Sequence, residues 1–286
     1  MRIPIPEVDE RFDSIEDALE HFIRLCSLIV GKAREICHEP TVNDIPAYAL
    51  AFIQKVLQQA LTLAMVSRER KDYNTVCALV RMQADNVAAI NLIYNSDDEE
   101  EKVLRHLLYV MDGVSARYDM LAGTTMSYDG KIPRETYDAL YKQVQGAINN
   151  AANCLAFCES EIKKRPIYAA HPSEVEALIK NNNWKYKEIT SPKLTYKWKE
   201  LYERLDIKRG MDMFPYMSQY VHGLSISNIA LENPDDFDAP LSFEVCLLGW
   251  LLNYLRKVYE PHIGKYTWED IKNVAPDLFS NNTIEK

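Results

Sequence analysis

The sequence predicts an all-α protein, a multi-helix bundle of about eight to ten helices. Three observations support this fold class. Apolar residues recur at spacings of three and four along most of the chain, which is the period of one helix face. Only 9 of the 286 residues are glycine, whereas hairpins and sheet-rich folds use glycine at their turns. No stretch is a clear candidate for a strand.

Four helices are predicted in the first half of the chain, and three of them have a clear start signal. Ser14 is a side-chain cap for the first helix, and Asn43 or Asp44 caps the second. The fourth opens with an acidic run whose carboxylates suit the positive end of the helix dipole. The third is apolar nearly all round, which is typical of a buried helix. The predicted ranges are approximately 14–38, 44–67, 75–95 and 96–121, with a charged turn at 68–74.

One long helix dominates the second half of the prediction. Pro133 opens it, since proline is tolerated in the first turn of a helix, and it extends to about Lys164. Its apolar residues form one stripe that is expected to face the core: Tyr137, Leu140, Val144, Ile148, Ala151, Leu155, Cys158 and Ile162. Further helices are expected from 195, at 211–231, at 242–259 and from 267. We expect a single domain, residues 1–286, with an irregular, proline-containing connection at 165–195.

The charge balance limits the classes of partner. The chain carries a net charge of −9, which does not favour nucleic acid or an anionic membrane as a default partner. The N-terminal residues are polar and lack the apolar centre of a signal peptide. The most lipid-like stretch, 45–66, contains Lys55 and three glutamines, so we interpret it as a buried helix. We therefore expect a cytoplasmic protein with no membrane partner.

The six cysteines are scattered within apolar helical patterns, which is typical of reduced core residues in a reducing compartment. Cys154 and Cys158 share a helix face, but a metal site would need two further ligands nearby. Glu35 and His38 have the carboxylate–histidine spacing of di-iron bundles, which require a second such motif and two more carboxylates. The sequence therefore predicts no metal and no cofactor.

Arg81 and Asp85 lie four residues apart on the apolar third helix, and Asn74 lies on the same face. A charge on such a helix is costly unless it is paired. The two residues can pair with each other or with a neighbouring helix, which would be a structural role. Alternatively, they can orient a ligand in a polar pocket inside the bundle.

A second polar face surrounds His222 in the stretch YMSQYVHGLSISN. Ser218 and Ser225 share its helix face, and Tyr216 and Gln219 lie nearby. A serine–histidine pair could form a nucleophile, but a serine in mid-helix has no oxyanion hole, which disfavours catalysis of this kind. We expect the histidine either to be hydrogen-bonded within the fold or to belong to a ligand site.

The segment 180–209 is basic, with nine Lys and Arg against four acids, so it carries +5 and the rest of the chain −14. Aromatic residues are interleaved with the cations: Trp184, Tyr186, Tyr196, Trp198 and Tyr202. Such a mixture suits stacked bases and phosphates, and it equally suits aliphatic stems covering aromatic rings. We favour a solvated structural face; an acidic partner or partner helix comes second, and nucleic acid through this segment is disfavoured.

Arg256 and His262 are separated by five residues. This spacing is similar to the signature of HEPN-type helical ribonucleases, in which the resemblance implies that the pair acts on the RNA phosphate and the ribose hydroxyl. Pro261 interrupts the motif, and Lys257 stands where a small polar residue is usual.

Four stretches taken together resemble an uncharacterised family of bacterial all-helical proteins, a domain of unknown function. They are ALVRMQAD (78–85), SDDEEEKVLRHLLYVM (96–111), the aromatic and basic stretch from WKYKEI to LYERL, and YMSQYVHG (216–223). The resemblance covers about residues 45–260 and implies that Arg81, Asp85 and His222 converge inside the bundle. Asp85 stands in place of the usual glutamate, which leaves its partner open. Some relatives look similar to HEPN-like phage-defence and toxin proteins.

Two functions follow as hypotheses. The first is a binding or interaction module that takes an unknown small ligand or protein partner in a polar pocket: Arg81, Asp85, Tyr216, Ser218 and His222. The alternative is a HEPN-like, metal-independent ribonuclease of phage defence or of a toxin–antitoxin system, with Arg256 and His262 as catalytic residues. A scaffold whose aromatic and basic segment docks a partner helix is a third reading. A homodimer is compatible with each of them.

Overall fold

The computed structural model describes residues 12–124, 126–207, 213–221 and 237–274. Within these ranges the protein is 75% helical and contains no strand, which confirms the predicted all-α multi-helix bundle. Eleven α-helices are described, and eight of them have seven or more residues. They are α1 (Ile15–Ile36), α2 (Ile45–Met65), α3 (Tyr73–Tyr94), α4 (Glu99–Ala122), α5 (Arg134–Lys163), α6 (Pro166–Ala170), α7 (Pro172–Lys180), α8 (Trp198–Glu203), α9 (Met213–Val221), α10 (Asp238–Val258) and α11 (Trp268–Lys272).

The chain divides into two compact units. Unit 1 consists of residues 1–92 and 197–286, and unit 2 consists of residues 93–196. The segment expected to be an irregular connection, 165–195, holds α6, α7 and one antiparallel bridge between Tyr186 and Thr195. The single domain expected from the sequence stays a prediction.

The helices begin where side-chain caps were predicted. Ser14 accepts a hydrogen bond from the backbone N–H of Asp17, at 3.1 Å, and Asp44 caps α2 in the same way. The carboxylate of Asp98 accepts hydrogen bonds from the backbone N–H groups of Glu100 and Glu101 in the first turn of α4.

Two boundaries differ from the prediction by several residues. The helix α2 continues as a π-helical turn, Val66–Arg70, where a charged turn was expected, and α10 begins at Asp238, four residues before the predicted 242. The chain leaves the π-helical turn at Lys71, whose φ of 50° is left-handed.

Unit 1 is built around α1, α2, α3 and α10, whose inner faces are apolar and buried. Arg24 of α1 also holds the end of the described chain. Its guanidinium donates to the carbonyl oxygens of Lys272 and Val274, at 2.9 Å each, and to the carboxylate of Glu20. These carbonyls follow α11 and have no partner within a helix, so the arginine satisfies acceptors that the helix end leaves open.

Among the described residues, two helical stretches are long and apolar enough to cross a bilayer, judged by length and composition. They are Ile45–Arg70 and the helix Tyr73–Tyr94, with 39% and 61% of their most apolar windows buried inside the protein. Core helices of soluble proteins meet the same criterion, so this observation is weak evidence on location.

A buried polar pair connects α3 and α10. Gln83 and Glu244 are both fully buried, and the Gln83 Nε2 donates to Glu244 Oε1 at 3.2 Å and to the carbonyl oxygen of Val56 at 2.8 Å. Burial raises the pKa of the Glu244 carboxyl to about 8. Glu244 Oε2 and Gln83 Oε1 have no partner among the described residues. A proton on Glu244 Oε2 would turn that atom into a hydrogen-bond donor. The amide oxygen of Gln83 is the acceptor in the same pair that lacks a donor within the described ranges.

Unit 2 contains an antiparallel hairpin of α4 and α5, and Arg105 of α4 anchors the chain after α7. Its side chain is 3% exposed. It donates to the carbonyl oxygens of Trp184 and Tyr186, at 2.9 Å each, and to the carboxylate of Glu101. Its guanidinium carbon also lies 3.9 Å from the centroid of the Tyr186 ring. Asp112 of α4 also accepts a hydrogen bond from Trp184 Nε1, at 3.1 Å, so Arg105 and Asp112 together attach the segment 184–186 to α4.

We predict that Glu244→Gln stabilises unit 1 at high pH and leaves it unchanged at low pH. The folded-state pKa of Glu244 is raised, so the wild type loses stability as pH rises from about 4.5 to about 8, by roughly 1.4 kcal/mol per pH unit at most. The glutamine keeps a donor for Gln83 and does not ionise. Urea denaturation from pH 5 to pH 8 measures the difference, with Glu35→Gln on the surface of α1 as the control. Parallel pH profiles of wild type and Glu244→Gln would contradict a buried neutral carboxyl.

Arg105→Met is expected to destabilise unit 2 by about 3 kcal/mol, because it leaves two buried carbonyl groups without a donor. Methionine retains much of the apolar stem, so packing is changed little. Hydrogen exchange of peptides covering 183–196 should speed up first. Arg134→Met, which removes an exposed guanidinium of the same unit, serves as the control. Equal exchange in the two variants would mean that Arg105 does not anchor this segment.

Candidate functional site

The candidate site lies in unit 1, where α3, α8 and α9 meet around Arg81. The Arg81 side chain is 13% exposed. Its Nε donates to Ser218 Oγ at 2.9 Å, and its Nη1 is in ion-pair contact with Asp85, one helical turn further along α3. Nη1 is buried, and among the described residues its polar contact is this ion pair.

Ser218 is fixed from both sides. It accepts from Arg81 and donates its own proton to the carbonyl oxygen of Phe214, at 2.8 Å. This back-bond to the residue four positions earlier is common for serine in helices. The hydroxyl proton is therefore directed at the main chain of α9, away from any described base.

Tyr202 of α8 completes the cluster. Its hydroxyl donates to Asp85 Oδ1, and its ring lies under the Arg81 guanidinium, 5.0 Å from centroid to carbon. Burial, then the hydrogen bond to Asp85, raises the pKa of Tyr202. The ring also stacks on Phe214, with centroids 3.9 Å apart and an angle of 12°. A phenol O–H and a guanidinium thus both contact the carboxylate of Asp85, whose side chain is 33% exposed.

Tyr216 belongs to a neighbouring chain of phenols on the same pair of helices. Its hydroxyl lies 3.3 Å from that of Tyr73 and 2.6 Å from that of Tyr220. Tyr73 is buried, and burial raises its pKa, as does the bond to Tyr216. Tyr216 and Tyr220 are half-buried, so the open end of this chain is on α9.

Of the residues expected to form the pocket, three are in direct contact: Arg81, Asp85 and Ser218. Tyr216 lies on the same helix as Ser218 and bonds to other tyrosines. His222 lies outside the described residues. Its convergence with Arg81, which the family resemblance implies, stays a prediction.

The alternative pair lies at the end of α10. Arg256 is 45% exposed, and its Nε is 4.0 Å from the carboxylate of Glu260. The Glu260 carboxylate also accepts a hydrogen bond from the hydroxyl of Tyr266. His262 is exposed at the end of a 3₁₀ turn that includes Pro261. Arg256 therefore has a carboxylate beside it, in the position that a phosphate would need.

Three of the five aromatic residues of the basic segment are buried. They are Trp184 and Tyr186 in unit 2 and Tyr202 in unit 1, whereas Tyr196 and Trp198 are half-exposed. Lys185 lies over Trp184, and Lys187 lies over Tyr196, at 5.6 and 5.4 Å. The three buried rings are not available to stack on bases, which supports the structural interpretation of this segment.

The two motifs that were considered as metal sites, Glu35 with His38 and Cys154 with Cys158, do not have the surroundings of a metal site. His38 follows the end of α1, is 93% exposed and lies 3.5 Å from Asp44. Cys158 is buried, and burial raises the pKa of its thiol to about 12, while Cys154 is half-buried. Within the described ranges, no group of three or more His, Cys, Asp or Glu side chains could hold a metal ion.

The site contains residues that the sequence analysis did not assign to it. Tyr202 was counted only among the aromatics of the basic segment, and Tyr73 and Tyr220 were not singled out. Gln83, Arg105 and Glu244 were missed as well, although Glu244 is the lone charged residue of the apolar stretch 239–255. That pattern is a usable signal, because a polar side chain on a buried face needs a partner.

We predict that Tyr202 and Asp85 are energetically coupled. Tyr202→Phe should lower the free energy of unfolding by about 1–2 kcal/mol, because it removes the donor to a partly buried carboxylate. In a double-mutant cycle with Asp85→Asn, the coupling should be about 1 kcal/mol. Urea denaturation of the four proteins measures it. Additive effects of the two substitutions would show that the hydroxyl and the carboxylate do not interact in solution.

No protein-family model matches this chain, and no curated protein or solved structure matches it either. The resemblance drawn from the four stretches of sequence therefore stays a prediction, and the function has to be argued from the geometry of the site.

Proposed function

We propose that the protein is a binding module whose ligand site is the cluster of Arg81, Asp85, Tyr202 and Ser218. The observation that carries the proposal is the meeting of polar groups from three helices with a partly exposed carboxylate at its edge. Polar side chains that converge from separate elements are typical of ligand sites. The open phenols of Tyr216 and Tyr220 extend the polar surface along α9.

The bonding of Ser218 supports binding over nucleophilic catalysis. A nucleophilic serine needs a base to take its proton, but the Ser218 proton is donated to the carbonyl of Phe214. The lone pair of its oxygen is shared with the Arg81 N–H, which lowers its nucleophilicity. The same groups suit recognition, since the Ser218 hydroxyl can exchange its bond to the Phe214 carbonyl for one to a ligand without a change in the backbone.

The geometry also selects a ligand class. Asp85 and the half-buried phenols can accept hydrogen bonds at the open side, whereas Arg81 Nη1 is buried against Asp85. A complementary ligand is a small polar molecule with N–H or O–H donors. A large polyanion is a poor match, because the carboxylate of Asp85 faces solvent.

Native mass spectrometry of the purified protein, followed by thermal shifts with amino acids, amides, polyamines, sugars and nucleosides, tests the proposal. We expect wild type to retain a small molecule or to gain a few degrees in Tm with one of these classes. Asp85→Asn should weaken that ligand by at least ~10-fold, because it removes a charged acceptor. Arg24→Met, which disrupts a comparable arginine cluster outside the site, should bind as wild type does. Equal loss in the two variants, or no ligand from any class, would overturn the proposal.

The same preparations address the ribonuclease alternative, which has in its favour the exposure of both Arg256 and His262. Single-stranded RNA should remain intact with wild type if the protein is a binding module. Cleavage that is lost in His262→Ala and kept in Asp85→Asn would replace the proposal by a HEPN-like ribonuclease. Cleavage lost in His222→Ala would instead assign catalysis to the region of the proposed pocket.

A further inference from the structure

The distal half of the α4–α5 hairpin in unit 2 has no buried residue. Between residues 112 and 150, every residue that the structure describes is exposed or half-buried. Half of the exposed large apolar side chains of the described chain lie on this hairpin: Met120, Tyr128, Ile132, Leu140, Tyr141 and Phe157. Helices of this length draw most of their stability from packing, so this surface has the composition of one that another element covers.

The outer surface of α5 is uncharged along much of its length. Residues 143–158 contain no charged side chain, although 26% of all residues are charged. Much of this stretch is solvent-exposed, including Asn149, Ala152 and Ala156. Solvated helix faces are normally rich in charge, so an exposed and uncharged face is expected at a helix–helix contact.

One stripe of this face is complementary to itself. Spacings of three and four define it, and its members are Asp138, Lys142, Gln145, Asn149, Ala152, Ala156, Glu159 and Lys163. Six of the eight are exposed, and the other two are half-exposed. When two copies of the stripe pack antiparallel about a two-fold axis between residues 150 and 151, each residue faces the residue of the other copy whose number brings the sum of the two to 301. Asp138 then faces Lys163, and Lys142 faces Glu159.

The interior positions match in size as well. In the same antiparallel alignment, Gln145 faces Ala156, and Asn149 faces Ala152, so each amide side chain meets a small one. Large residues opposite small ones are what close helix packing requires. Of the four pairs of facing residues, the outer two are therefore complementary in charge and the inner two are complementary in volume.

We propose that this stripe of α5 is the interface of a homodimer, in which α5 packs antiparallel on α5 of a second copy. A two-fold interface brings the same patch of both subunits together, so a charge near the axis would meet its own copy. The absence of charge at the centre and the opposite charges at the mirrored ends meet that condition. A different partner helix would require no such mirror relation within one stripe.

The charge of the hairpin is also compatible with self-association. Residues 112–150 carry five acids and four bases, a net charge of −1, against −9 for the whole chain. Asp138 and Glu159 already pair within α5 with Arg134 and Lys163, and Lys163 also pairs with Glu176. The flanking charges are thus held on the surface, where the partner's opposite charges can join them.

Charge reversal at one mirrored pair tests the dimer. Wild type should sediment as a dimer at concentrations between about 1 and 100 μM. Lys142→Glu and Glu159→Lys should each weaken self-association by at least ~10-fold, because each places like charges opposite each other twice per dimer. An equimolar mixture of these two variants should form heterodimers, since both contacts then join opposite charges.

Arg117→Glu changes the charge by as much as Lys142→Glu does, at an exposed position of α4, and this variant should remain dimeric. Circular dichroism of each variant checks that it is folded. Monomeric wild type over the whole range would overturn the proposal. So would two single variants that dimerise as wild type does, or a mixture of folded variants that stays monomeric. If the stripe instead binds a different partner, mixing Lys142→Glu with Glu159→Lys would not restore the association that each variant loses.

Discussion

Within the described ranges, three partly or fully buried arginines each connect a helix to a segment far away in the sequence. They are Arg24, Arg81 and Arg105, whose side chains are 16%, 13% and 3% exposed. Each has a carboxylate four residues away on its own helix, which offsets the charge that burial would otherwise leave uncompensated. A guanidinium has five N–H donors in a fixed plane and stays charged. The donors that the neighbouring acid does not use must therefore be satisfied by another segment, and this requirement determines which segment lies there.

The partners of these arginines separate structural roles from functional ones. Arg24 and Arg105 spend their remaining donors on main-chain carbonyl groups, which have no alternative donor and cannot turn away. Arg81 instead bonds to a serine hydroxyl and lies over a tyrosine ring. A hydroxyl can rotate to a ligand and leave the backbone unchanged. The Arg81 cluster is therefore the one of the three whose bonding can be rearranged, and this is why we assign the ligand site to it.

The sequence alone predicted the helices well because their start signals are local. The caps at Ser14, Asp44 and Asp98 need only residues three or four positions away. The π-helical turn at 66–70 was missed, since a run of charges is equally typical of a turn and of an exposed helix end. The pairing of Arg81 with Asp85 follows from their spacing, whereas its bond to Ser218, 137 residues later, depends on tertiary packing. The same limit applies to Gln83 and Glu244: their sequence context indicates that each needs a partner and does not identify it.

The helix α5 has two stripes of residues with the same period, and only one of them is apolar. The apolar positions 137, 144, 151 and 158, with 148, 155 and 162, follow a heptad, and this stripe was expected to be buried along its whole length. Burial is complete only at Ala151, Cys158 and Ile162, because a two-helix hairpin covers one side of each helix and leaves its distal seam half-exposed. The stripe one position further along has the same period but consists of amides, alanines and mirrored charges. Hydrophobicity does not detect it, since its signal is the absence of charge on an exposed surface. A helix with two such stripes has two faces suited to packing, and α4 of the same chain can cover only one of them.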